Sequence, residues 1–245
     1  MTSLSARVLA LALIVGFSQA QAQVKSILLM LLLSPGAFAA PSTSACTRIE
    51  QPYCTRREYK APTANYVWET VSETEDRSIL TTISSDGIKK QIAEITSSDS
   101  NEISAIAVDA DGRIFLSGFA FEGELTINGK TIKMPYDYTT FVVRLSKAGQ
   151  LEKSFVFETI SQYQTGLAVS ERNVYFASNV ADLRAETFGV TLFKLTHGLR
   201  KISKTMIEAE SLEVGSVELL DKSVRVALDC NSVNGDPCRY FEIAK

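Results

Sequence analysis

The chain has 245 residues, of which 45% are hydrophobic and 22% charged, with a formal net charge of −3. That balance excludes a disordered or fibrous polypeptide. The acidic sign, with no cluster of Lys and Arg, argues against nucleic-acid binding, because a phosphate backbone would be repelled overall.

The first forty residues differ from the rest. Arg7 precedes the apolar stretch "VLALALIVGF", which runs into "SQAQAQ" with Ala20 and Ala22 at cleavage-site spacing. A basic start, a short apolar core and an Ala-x-Ala exit together make a secretory signal. Lys25, "ILLMLLL" and "SPGAFAA" repeat the pattern, with Ala37 and Ala39 at the same spacing. Both cores fall well short of the about twenty residues a membrane helix needs, so no membrane span is expected. Two tandem leaders make little mechanistic sense. The expectation is a start near Val24, cleavage after Ala39, and an exported chain, periplasmic or secreted. Residues 1–39 contain Arg7 and Lys25 and no acid, so their removal leaves 23 basic against 28 acidic side chains.

Residues 40–62 carry Cys46 and Cys54, eight apart, and Cys230 and Cys238 near the other end repeat that interval. Four cysteines in an exported chain imply two disulfides, and local pairs would staple a short loop and a hairpin. "NSVNGDP" between the second pair holds Asn234-Gly235, which favours a tight reversal. A bridge between the chain ends is the alternative. Zinc is not expected, because tight Cys-x-x-Cys spacing is missing and His197 is the sole histidine.

From residue 63 onward the chain repeats itself. "ISAIAVDADGRIFLSGF" (103–119) and "TTFVVRLSKAGQLEKSFVFE" (139–158) are echoed by "TGLAVSERNVYFASNV" (165–180) and "VTLFKLTHGLRKISKTMIE" (190–208). A weaker echo is "VGSVELLDKSVRVALDC" (214–230) followed by "RYFEIAK", and "SILTTISSDGIKKQIAEI" (78–95) matches the second piece upstream. Each unit of about fifty residues offers four short β-branched or aromatic runs separated by turn residues, too short for helices. Four antiparallel strands per repeat predict an all-β, propeller-like array. First runs such as "ISAIAV" should be buried on both faces, and charged fourth runs such as "LRKISKTMI" should form outer edges.

In "IAVDADGRIFLSG", "FVVRLSKAG" and the intervening "ELTINGKTI" the chain resembles the seven-bladed β-propeller repeats abbreviated SBBP. Their unit is an apolar strand, an Asp-x-x-Gly turn, a strand ending in Gly, a variable insert, then an "AFVAKLD"-like strand and a Gly turn. The resemblance implies a propeller but brings no catalytic or ligand residues. Departures are the turns "SERN" and "LDKS", which lack the glycine, and Gly118, whose place is taken by Asn179 and Asp229. About 206 residues after position 39 suffice for about four blades. The last unit lacks a fourth run, and "TRREYK" (55–60) is expected to fill it and close the ring. The alternative is an open arc that covers its exposed end with a second copy.

Four places could carry chemistry. Asp109-Ala110-Asp111-Gly112 resembles the start of a calcium loop, but further oxygen ligands and a distal Glu are missing. Tight hairpins also need Asp and Gly, so a turn is expected and no metal or other cofactor. His197 aligns with Lys147 and reads as a solvated turn histidine rather than a general base. The loop acids Glu122, Glu124, Asp137 and Glu186 could supply a glycosidase pair. The longest insert, 119–140, contains "MPYDY", where Tyr136 and Tyr138 offer contact area for a protein or glycan unless they tuck against their own sheet. Trp68 reads as core.

These features predict an exported, non-catalytic binding or scaffold protein, with an extracytoplasmic carbohydrate-active hydrolase as the alternative. A structural subunit of an envelope assembly is the third reading.

Overall fold

A computed structural model describes residues 56–61, 64–70, 77–160, 165–182, 187–208, 214–228 and 238–245. The chain divides into Met1–Phe38 and Ala39–Lys245, and all described residues belong to the second part. The leader region, Cys46, Cys54, Cys230 and Glu186 lie outside them. Seventeen strands and no helix occur among the described residues, which makes the domain all-β as expected. No helix there is long and apolar enough to cross a membrane.

The strands form four consecutive antiparallel meanders. The first comprises β1 (Arg56–Lys60), β2 (Ala64–Thr70), β3 (Arg77–Ser84) and β4 (Lys89–Ser97). The second comprises β5 (Asn101–Val108), β6 (Ile114–Ala120), β9 (Thr139–Leu145) and β10 (Leu151–Ile160). A hairpin of β7 (Gly123–Ile127) and β8 (Lys130–Met134) interrupts it between β6 and β9. The third runs through β11 (Gly166–Val169), β12 (Asn173–Asp182), β13 (Thr187–Thr196) and β14 (Lys201–Glu208). The fourth has three strands: β15 (Val214–Leu219), β16 (Ser223–Leu228) and β17 (Arg239–Ala244).

The assignment of "TRREYK" is corrected by the pairing of β1. Arg56 to Lys60 run antiparallel to Glu69 to Asn65, so this segment completes the first meander rather than the last. Tyr59 and Tyr66 explain the preference. They are directly opposed, with ring centroids 6.4 Å apart, and both are buried.

The meanders stack face to face in chain order. Trp68, Leu80 and Ile95 of the first share a core with Leu116, Phe141 and Val143 of the second. Phe115, Val142 and Phe157 of the second share another with Phe176, Phe193 and Leu195 of the third. Tyr175, Ala177 and Leu192 of the third meet Val217, Val226 and Leu228 of the fourth. Alternation along β6 is therefore apolar on both phases: Ile114 and Leu116 face backward, Phe115 faces forward. This is why "RIFLSGF" reads as a continuous apolar run. The first strands lie side by side in sequence, β1 by β5, β5 by β11 and β11 by β15. As expected, β5 and β11 are buried on both faces, while Lys201–Met206 of β14 are exposed throughout.

Asn128-Gly129 makes the hairpin turn anticipated from "ELTINGKTI", with φ of 46° and 78° at its two central residues. Less legible was its docking: β7 pairs with the last three residues of β4, Ile95 to Ser97, and so covers the edge of the first meander. Asn128 locks it there. Its Oδ1 accepts from Glu94 N (2.9 Å), and its Nδ2 donates to Ile92 O (2.9 Å) and Gly149 O (3.0 Å). Asn128→Gly keeps the turn but removes all three bonds, and is expected to lower unfolding free energy by about 2 kcal/mol in a urea titration. An unchanged midpoint would dismiss the clamp.

Burial drives the phenol pKa of Tyr59 above its ordinary value of 10.0, against a smaller opposing hydrogen bond at the Val108 backbone; burial also raises Tyr66. The folded state thus holds both phenols neutral where the unfolded chain would ionise. Their contribution is whole below pH about 10 and is lost as pH rises beyond it. Tyr59 and Tyr66 should ionise late and together with loss of structure in an alkaline absorbance titration. Eight phenols titrating reversibly near pH 10, with the circular dichroism intact, would contradict this.

Candidate functional site

The turns explain the aspartates. Four hairpins share one geometry, in which the first residue's carbonyl accepts from the N–H three positions on: Ser84 from Gly87, Asp109 from Gly112, Ser146 from Gly149 and Thr196 from Leu199. The receiving residue has positive φ each time: 83°, 80°, 82° and 58°. In three of these turns the first side chain also ties down backbone N–H groups. Asp109 Oδ1 accepts from Asp111 and Arg113, Ser146 Oγ from Ala148 and Gln150, and Thr196 Oγ1 from Arg200. Asp109 thus does what a hydroxyl does elsewhere in the repeat. "SERN" and "LDKS" need no glycine because they are two-residue reversals, closed by Ser170 N to Asn173 O and Leu220 N to Ser223 O, with no positive φ.

The second carboxylate oxygen has a cation already. Asp109 Oδ2 lies 2.7 Å from Arg113 Nε, and Arg113 Nη2 lies 2.5 Å from Asp111 Oδ2. The guanidinium occupies the space between the two carboxylates where a calcium ion would sit. Asp109's hydrogen bond in turn holds the Arg113 pKa above its ordinary value.

His197 corrects the sequence reading. It is not a solvated turn histidine, for its side chain is only 15% exposed and its ring meets Phe115 edge-on at 5.6 Å. Nε2 lies 2.8 Å from Ser170 O, a carbonyl that can only accept, so Nε2 carries the proton. Nδ1 is then an acceptor, and Arg113 Nη2 donates to it at 3.4 Å. Arg144 donates to the His197 carbonyl at 2.6 Å, and its Nε stands 3.0 Å from Glu152. Nε2 ties two turns of the third meander together and Nδ1 reaches Arg113 of the second, so the imidazole is placed as a structural pin. Its local sequence looked like a surface turn because its partners lie 27 and 84 positions away.

The tight turns gather at one end of the stack, as the contact of His197 with the Asp109 and Ser170 turns requires. The longer connections, including 121–138, therefore leave from the opposite end. There the two tyrosines part company. Tyr138, at φ 57°, turns inward, its ring 4.3 Å from that of Phe121 and 6.1 Å from that of Phe119. Tyr136 remains 45% exposed. Thr139 pins the bend by accepting from Tyr136 N (2.9 Å) and donating to Tyr136 O. Glu122, Glu124 and Asp137 are all exposed, and Glu124 stands opposite Lys133 across the hairpin.

No group of three metal-ligating side chains occurs among the described residues. Of the cysteines only Cys238 is described; it is disulfide-bonded, and no disulfide has both halves within the described residues. Comparison with protein-family models finds none that matches the chain, and comparison with curated proteins likewise finds no match.

Proposed function

We propose that this is an exported, non-catalytic protein whose four meanders are the blades of a small propeller-like array, and that the long-connection end binds a protein or glycan. The observation that carries the proposal is the asymmetry of the stack. Short, internally bonded turns close one end, while the longest connection leaves from the other, with Tyr136 outward. A rigid frame with one variable, aromatic-bearing end suits recognition, because little conformational entropy is lost on contact. The SBBP-like pattern of β5, β6 and β9 and the sequential contact of first strands support the propeller reading. The tandem leader patterns support export.

The test uses the full-length protein and Tyr136→Ser on a glycan array and against immobilised cell-envelope proteins. A ligand whose retention falls about tenfold in Tyr136→Ser is expected. Equal retention by the variant would contradict the proposed surface. Polysaccharide turnover abolished by Glu122→Gln or Glu124→Gln would replace binding with the hydrolase reading.

A further inference from the structure

His197 is the one imidazole in the chain, and the three turns that share its geometry carry Ser85, Ala110 and Lys147 at its position. None of those side chains changes charge between about pH 8 and pH 5, the interval in which imidazole takes up a proton. The setting of His197 makes that proton consequential. Nε2 is already engaged with Ser170 O at 2.8 Å, so an added proton goes to Nδ1. In the neutral ring Nδ1 accepts from Arg113 Nη2 at 3.4 Å. Once protonated it is a donor facing a donor, and that hydrogen bond does not persist.

A second partner stands on the same turn as the first. Asp109 Oδ2 lies 3.6 Å from Nδ1, on a side chain only 4% exposed. Arg113 Nε holds that oxygen at 2.7 Å, and a carboxylate oxygen has lone pairs for a further donor. Arg113 Nη2 in turn has another acceptor, Asp111 Oδ2 at 2.5 Å. Around the rest of the ring the charges compensate. Arg144 of β9 donates to the His197 carbonyl at 2.6 Å, and Glu152 of β10 lies 3.0 Å from its Nε. Phe115 of β6 meets the ring edge-on. Glu171 and Arg172 follow Ser170 in an exposed reversal, Arg200 is exposed beyond the ring's own turn, and the Lys147 stem packs against Gly112. Among the described acids, Asp109 is the one paired with the ring.

We propose that His197 is an acid-operated exchange point between the second and third meanders. Uptake of a proton moves Nδ1 from Arg113 to Asp109, so a bond to a neutral acceptor gives way to one between opposite charges. Closing the gap to the about 2.8 Å of such a bond draws the β5–β6 turn toward the third meander. Arg113 Nη2, released, turns wholly to Asp111 at the surface, where the two side chains are 32% and 70% exposed. The meanders stay joined, since Arg144 holds the His197 carbonyl in either state. What changes is the pose of an exposed arginine–aspartate pair at the tight-turn end. That end is remote from the Tyr136 insert, so the exchange stands whether or not the insert binds anything.

An NMR titration of isotopically labelled full-length protein from about pH 8 to pH 5 tests it. One ring supplies every imidazole signal. The Arg113 Nε–H and the amides of Asp111 and Arg113, which donate to Asp109 Oδ1, should shift with the ring and share its midpoint. At the acid end a ring proton on Nδ1 should appear. Asp109→Ser keeps the turn but not the reach, and should speed exchange of that proton with water at least about tenfold. His197→Gln offers Ser170 a donor and Arg113 an acceptor but takes up no proton, so its turn signals should stay fixed over the same range. Circular dichroism verifies that both variants fold; if either does not, the wild-type midpoints decide. A ring still unprotonated at about pH 5, or turn signals that do not follow it, overturns the proposal. So does an Nδ1 proton that exchanges equally fast in Asp109→Ser, or the same turn shifts in His197→Gln.

Discussion

Gly118→Ala is expected to destabilise the protein by about 3 kcal/mol or more, because the added methyl has no room. A Cβ at Gly118 would lie 1.8 Å from Glu102 O and 2.9 Å from its carbonyl carbon. Both are backbone atoms of β5, so relief requires parting β5 from β6. These strands sit between two cores, and separating them would disturb both. Meander three supplies the control. Gly118 opposes Phe141 and Ser178 opposes Thr191, so the residue equivalent to Gly118 is Ser178, and in the fourth meander Leu228. The sequence alignment to Asn179 and Asp229 was one residue out. β11 begins at Gly166, opposite Ala177, and so stops short of crowding Ser178. Ser178→Ala should cost about 1 kcal/mol. Similar losses at the two sites in denaturant unfolding would refute the steric account.

Asp109→Ala should cost about 3 kcal/mol, while Asp109→Ser should recover roughly half of that loss. Alanine removes two bonds to backbone N–H groups and the ion pair to Arg113, from a side chain only 4% exposed. Serine restores the turn, as Ser146 does in the neighbouring hairpin, but leaves Arg113 without its buried carboxylate. Loss of that anchor should also loosen His197, which is seen by the exchange of its Nε2 proton in NMR spectra. If serine proved no better than alanine, the turn-forming role would be wrong. If alanine cost nothing, so would the claim that this carboxylate is spent on structure.

The repeat, its turns and the small hairpin were readable because each is local. Alternating runs bounded by Gly, Asp, Asn and Ser specify hairpins over a handful of residues, and "ELTINGKTI" contains everything its turn requires. Relations across the stack were not readable. β1 finds β2 through Tyr59 and Tyr66, and β7 finds β4 through backbone bonds whose partners no nearby residue announces. The Gly118 misalignment has a general cause: strand pattern has a period of two, so a slip of one reverses every face, and where both faces are apolar no polar residue marks the error. His197 was misread for a related reason. A turn residue is normally solvated, and only the approach of the next meander converts it into a buried contact.

The central claim is that successive meanders stack in chain order, each pair enclosing its own core. A NOESY spectrum of isotopically labelled full-length protein tests this most directly. Cross-peaks are expected between Ile92 and Gly149, between the Phe157 ring and those of Phe176 and Phe193, and between Gly166 and the methyls of Val214 and Val217. If the Val217 methyls instead contacted Trp68 or Leu80, the first meander would be packed on the fourth as a two-layer sandwich, and the sequential stack would be contradicted.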